Sequence, residues 1–256
     1  MIRDFTLKRY DELCGEIIDS GYEIFTVYDY LLRSPKSNYV ILRHDVDSRP
    51  GMALKMAELE DRRGISSTYY FRFVKGIFDP EIIRKIRDLG HEIGYHYEVL
   101  SKAGGNFEEA IKLFDFELSE FRRICSINTI CMHGSVLSKH DNRELWNLYD
   151  YRSFGLSAEA YLSLGDNFYY LSDTGWEWNK KHKLRDIMPF KKDEPSISST
   201  SELFELISNN WVENIYLLVH PGNWTDKHSD WYYILLKNRL FNAGKRLLRY
   251  ANKYDS

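Results

Sequence analysis

Short apolar runs alternate with stretches of helical period along almost the whole chain, at intervals of about 20–40 residues. This alternation limits the possible folds more than any other feature. It argues for a parallel sheet whose strands are joined by helical crossovers. Strands are expected at 22–27, 39–47, 67–74, 92–97, 127–132, 151–154, 168–171 and 215–219. Helices are expected from Thr6 to Gly21, at 28–32, from Pro50 to Gly64, from Asp79-Pro80 to Gly90, from Asn106 to Arg123, and at 143–149, 201–208 and 231–250. Seven or so such units suggest one α/β domain, a closed or nearly closed barrel with its site at the C-terminal ends of the strands. Residues 1–38 are read as a helical and strand extension packed on that barrel. Residues 172–200 read as an irregular polar segment. Its cations, among them Lys180, Lys181, Arg185 and Lys192, suit a solvated loop better than an anion site.

Composition removes several function classes. With 43% apolar residues, the 256-residue chain has enough material for a sizeable core. Its net charge of −3 gives no reason to expect nucleic acid or an anionic membrane as the main partner. Cys14, Cys125 and Cys131 are odd in number and lack C-x-x-C spacing, which fits a reducing compartment. Charges occupy the place of a signal-peptide core, and no apolar run approaches the ~20 residues of a membrane span. A cytoplasmic location is therefore expected. The aromatic fraction of 15%, with 19 Tyr and 6 Trp, serves either a core or flat faces for sugars.

Polar groups gather where the barrel rule needs them. Asp45 and Asp47 close the first long strand and, being two apart, point the same way. One carboxylate can hold a metal while the other takes a proton from water. His96 ends another strand and is a natural ligand, with Glu98 on the same parity as a ligand or a supporting group. His91 and His96 are five apart around Gly94, so the helical zinc-protease pattern does not apply, and His91 reads as a core residue. His133, Asp173 and His220 follow further strands.

The order of Arg-His-Asp45-Val-Asp47, Gly-His-Glu-Ile-Gly-Tyr-His96, Leu-Ser-Asp173-Thr-Gly-Trp176 and Leu-Val-His220-Pro-Gly resembles the polysaccharide deacetylases, carbohydrate esterase family 4, in a divergent Asp-x-Asp form. The resemblance runs from about Tyr39 to Trp224. It implies a distorted (β/α)7 barrel and a metal-dependent hydrolase that removes an acetyl or similar acyl group from an amino sugar, in surface-polysaccharide biosynthesis. By the same resemblance Asp45 is the general base, His220 the general acid, and Asp47 and His96 are metal ligands, with Asp173 and Trp176 lining the groove. The family's second histidine, four residues after the first, is here Leu100. His133 is the substitute ligand, with Glu98 as competitor. Arg43 stands in for the arginine that orients the base, and Trp224 joins the substrate-binding set. Zinc is the default metal, with Ni, Co or Mn admitted by oxygen-rich coordination. The partner expected is an acylated sugar or sugar-linked small molecule. The competing readings are a different amide hydrolase on the same barrel and a non-catalytic carbohydrate-binding relic.

Overall fold

A computed structural model describes residues 3–134, 138–178, 188 and 197–254. The chain opens with helix α1 (Leu7–Asp19), strand β1 (Glu23–Phe25) and helix α2 (Val27–Arg33). Then come β2 (Tyr39–Val46), α3 (Pro50–Arg62), β3 (Thr68–Phe71), α4 (Pro80–Asp88) and β4 (Glu92–Tyr97). After these follow α5 (Val99–Lys102), α6 (Phe107–Arg122), β5 (Thr129–Met132), β6 (Ala158–Glu159) and β7 (Tyr169–Ser172). The chain ends with α7 (Thr200–Ser208), β8 (Asn214–Val219) and the long α8 (His228–Tyr254). The cation-rich stretch from Lys180 to Lys192 lies outside the described residues.

Helix starts follow from local chemistry. The Thr6 hydroxyl accepts from Arg9 N, the Asp79 carboxylate from Glu81 N and Ile82 N, and the Asn106 side chain from Glu109 N. Each satisfies backbone donors that a first helical turn leaves free. One expectation fails. Residues 151–154 form a 3-10 turn and not a strand, because Asp150 caps it and Gly155 ends it at φ 71°. The place beside β5 goes to β6, with Thr129 opposite Ala158.

All strand pairs are parallel, in the order β6-β5-β4-β3-β2-β8-β7. β1 and β3 share one edge of β2: β1 pairs with Tyr39–Ile41 and β3 with Arg43–Val46. The result is a curled sheet with helices outside, a distorted barrel whose ring is left unpaired between β6 and β7 among the described residues. The N-terminal stretch belongs to this body: β1 extends the sheet and α1 lies against α3 and α7.

Tyrosine fills much of the core. Tyr39, Tyr69, Tyr70, Tyr95, Tyr97, Tyr170 and Tyr216 are all buried. A buried phenol needs a partner for its hydroxyl. Tyr70 exchanges a hydrogen bond with Thr129 at 2.8 Å, and the Tyr216 hydroxyl accepts one from Arg43 at 2.9 Å. Strand alternation sends the neighbours of these inward groups to the helix layer. There Glu60 of α3, fully enclosed, meets His44 of β2 at 2.7 Å, Ser67 at 2.5 Å, Tyr69 at 3.1 Å and the hydroxyl of Tyr10. His91 lies at the edge of this cluster, 3.5 Å from Glu60, as a core residue.

α8 packs one face on the barrel rim. Ile234 and Asn242 are buried, Trp231 meets Trp176, and Asn242 donates to the Gly175 carbonyl at 2.8 Å. No helix among the described residues is long and apolar enough to cross a membrane.

Candidate functional site

β2 delivers three charged side chains to one face at alternate positions: Arg43, Asp45 and, just beyond the strand, Asp47. They differ in depth. Arg43 is fully enclosed, Asp45 almost so, and the Asp47 side chain keeps 33% of its exposure at the mouth. Arg43 grips both oxygens of Asp45, Nε donating to Oδ1 at 2.8 Å and Nη2 to Oδ2 at 2.7 Å. It also donates to the hydroxyls of Tyr216 at 2.9 Å and Tyr161 at 2.8 Å. Burial alone would raise the Asp45 carboxyl, but the charges of Arg43 and then His96 hold it below the usual range. Arg43 thus takes the orienting place the sequence suggested and has no surface for a substrate.

Three imidazoles approach Asp47 from three strand ends. His96 of β4 brings Nε2 to 3.3 Å from Asp47 Oδ1, and His133 after β5 brings Nε2 to 3.6 Å from the same oxygen. His220 after β8 places Nε2 4.0 Å from Oδ2. Each ring is fixed through its other nitrogen. His96 Nδ1 donates to the Cys131 carbonyl at 3.0 Å, because a carbonyl only accepts. His133 Nδ1 meets Glu98 at 2.9 Å and His220 Nδ1 meets Asp173 at 2.6 Å. With Nδ1 donating, a neutral ring turns its Nε2 lone pair toward Asp47, the arrangement found behind metal-bound histidines. Asp47 Oδ1 is buried and makes no hydrogen bond within the chain.

The supporting carboxylates are spoken for. Glu98 receives two hydrogen bonds from Arg72 Nη2, at 2.9 and 2.8 Å, besides its contact with His133. Burial pushes Glu98 up, but His133 and Arg72 outweigh it and bring it down to about 2. Glu98 therefore holds His133 rather than competing with it. Asp173 is completely enclosed and accepts from His220 N at 3.0 Å and Trp224 Nε1 at 2.8 Å. Burial alone would strip His220 of its proton more easily, yet Asp173 beside it, then Asp47 and Asp45, raise it to about 10.

The expected groove residues are corrected by burial. Trp224 has no exposed face; it packs against Phe5, Tyr10 and Trp178 and serves Asp173. Trp176 lies between Phe5 and Trp231 with Nε1 donating to the Asn223 carbonyl at 3.0 Å. Asp173 positions His220 and reaches no solvent. Leu100, at the vacant ligand position, is a buried core residue. Tyr161, Tyr216 and Arg72 escaped the sequence reading, because nothing local marks a residue whose work is to hold another one.

A second donor set overlaps the first. Asp45, His96 and Cys131 bring one donor atom each within 4.8 Å of one another. Asp45 already gives both oxygens to Arg43, however, and the Cys131 thiol lies 3.5 Å from the Met132 carbonyl. The set of Asp47, His96 and His133 has an oxygen without a hydrogen bond and two oriented nitrogens.

No family model and no curated protein matches the chain. Among solved structures, it is similar to the wild type of a CE4 family pseudoenzyme from Bacillus anthracis, with 11% identity and a TM-score of 0.43, covering 78% of this chain and 60% of that one. A mutant of that pseudoenzyme matches with 12% identity and a TM-score of 0.41, over 78% and 62% of the two chains. The chain thus spans about 60% of the length of that protein.

Proposed function

We propose that the protein is a metal-dependent hydrolase that removes an acyl group, acetyl first among candidates, from an amino sugar or related sugar-linked molecule. The observation that carries this reading is the convergence of three Nδ1-anchored imidazoles on Asp47, two of them on its oxygen without a hydrogen bond and His220 on the other, beside a second carboxylate. Asp47, His96 and His133 would hold the metal, and zinc suits one carboxylate and two imidazoles. A divalent cation there supplies positive charge that polarises the acyl carbonyl and makes water more acidic.

The chain's own groups supply the proton transfers. Asp45 Oδ2, 3.5 Å from His96 Nε2, receives the proton of the attacking water. Arg43 keeps Asp45 ionised and oriented for that task. His220, held protonated by Asp173, gives its Nε2 proton to the departing amine or alcohol as the acyl–nitrogen or acyl–oxygen bond breaks. Asp173, Trp224 and Asn223 fix the donor's position.

The second reading is a carbohydrate-binding relic. The bidentate hold of Arg43 on Asp45 favours it, since a base with both oxygens engaged is a weaker proton acceptor. Metal analysis of the purified chain beside Asp47→Ala, His133→Ala and Cys131→Ser variants tests the site. The expected result is about one metal ion per chain, lost in the first two variants and kept in the third. Loss in Cys131→Ser alone would overturn the ligand set, and acetate release unchanged by Asp45→Asn would overturn the base.

A further inference from the structure

The described part of α8 has two apolar faces, and only one is covered. Ile234 and Asn242 point into the barrel rim. On the opposite side Tyr232, Tyr233, Leu236 and Leu240 stand 61–69% exposed. At 100° per residue these four positions fall within an arc of about 100°, the width of an apolar face built to be buried. Isolated exposed leucines are ordinary, but a continuous stripe marks a contact surface.

Charge says what kind of surface covers it. α8 carries Lys237, Arg239, Lys245, Arg246, Arg249 and Lys253 against Asp230 alone. Arg239, exposed, stands on one border of the stripe. Lys237 stands on the other border, its ammonium 5.9 Å from the Phe241 ring centre. The net charge of −3 for the whole chain conceals this, because an acidic remainder offsets a strongly basic helix. Two copies of α8 laid face to face would set these cations against each other, which disfavours a second copy as the cover.

We infer that α8 lies in the plane of an anionic lipid surface, with Tyr232, Tyr233, Leu236 and Leu240 entering the headgroup boundary and the flanking cations meeting lipid phosphates. The pattern of aromatic and leucine side chains on one face with Lys and Arg beside it is the physical signature of such helices. The orientation has a consequence for the site. Arg49 at the start of α3 bonds Asp230 of α8 at 2.8 Å, and Asn242 holds the loop that carries Asp173. The lipid-facing helix is thus fastened to the rim of the candidate site.

The test is sedimentation of the full chain with vesicles of phosphatidylcholine alone and of phosphatidylcholine with about one third phosphatidylserine. Binding to the anionic vesicles only, weakened by high salt, is expected. Leu236→Glu with Leu240→Glu should abolish it, and Lys237→Gln with Arg239→Gln should weaken it about 30-fold. All four side chains are exposed, so melting temperatures should stay near wild type, and the charge variant reports even if the leucine variant folds poorly. Equal binding to both vesicle types, or no binding, overturns the inference. So does a concentration-dependent dimer that the Leu240→Glu change converts to monomer, which would assign the face to a second copy of the chain.

Discussion

Asp45 cannot be changed without consequence for Arg43. Both are enclosed, and removing one partner of a buried pair leaves an uncompensated charge. Asp45→Asn should therefore lower stability by about 3–5 kcal/mol in urea denaturation, and Arg43→Met with Asp45→Leu should recover much of it. Loss of activity in Asp45→Asn is informative only under conditions where the variant is still folded. His220 gives a second residue-scale prediction. Its folded pKa, about 10, lies above the ordinary value of about 6.5, so its stabilising contribution is complete below pH ~6.5 and disappears as pH rises through about 10. In metal-free protein, melting temperature should fall more steeply over that window in wild type than in His220→Gln. Equal slopes would mean that the Asp173 contact does not hold the imidazole protonated.

At the scale of elements, β2 was the most legible part of the chain. Period-two alternation put Asp45 and Asp47 on one side from sequence alone, the structure brings both to His96, and Arg43 lies on the same side. The same rule sends His44 to the other side, where Glu60 receives it, but no spacing rule connects residues 44 and 60 across a strand and a helix. Glu60 is pushed up by burial and pulled down by His44 and His91 to about 2, so its contribution is complete above pH ~4.5 and is lost as pH falls through about 2. Glu60→Ala should cost about 3 kcal/mol or more, because it unties α1, α3, β2 and β3 at once. Thermal or urea unfolding measures this. Gly94 is a second element-scale constraint: a Cβ there would stand 2.2 Å from the Tyr70 ring, so Gly94→Ala would displace the strand that carries His96. The tryptophans were less legible. Trp176 and Trp224 stand beside motif residues in sequence, but closeness in sequence says nothing about burial, and both rings face inward. Residues 151–154 look like a strand because Tyr151 and Phe154 are aromatic, while Asp150 and Gly155 set a turn there.

For the whole molecule, the proposed ligands come from three separate parallel segments, so occupation of the site should tie β2, β4 and β5 together. At a metal concentration 1,000 times its dissociation constant the gain is about 4 kcal/mol, and for a chain of this size that raises Tm by roughly 8–16 °C. Chelation should reverse the shift in wild type and have no effect on Asp47→Ala. The general plan of the barrel could be read from alternating patterns, whereas the lack of β6–β7 pairing among the described residues and the sharing of one β2 edge by β1 and β3 could not, since pairing partners are chosen by packing across the finished sheet.

The position of β8 has a consequence for the order of assembly. β8 lies between β2 and β7 and pairs with β2 along Tyr39–His44, a contact that spans most of the chain. Contacts of such long sequence separation form late, because the intervening chain must be ordered first. Asp45, Asp47, His96 and His133 all leave the ribosome well before His220 does. A nascent chain can therefore bring the base and the proposed ligands together while the proton donor is still unmade. Docking of β8 then joins β7 to β2 and delivers His220 in one event, so that late pairing is also the one that completes the proposed acid–base pair.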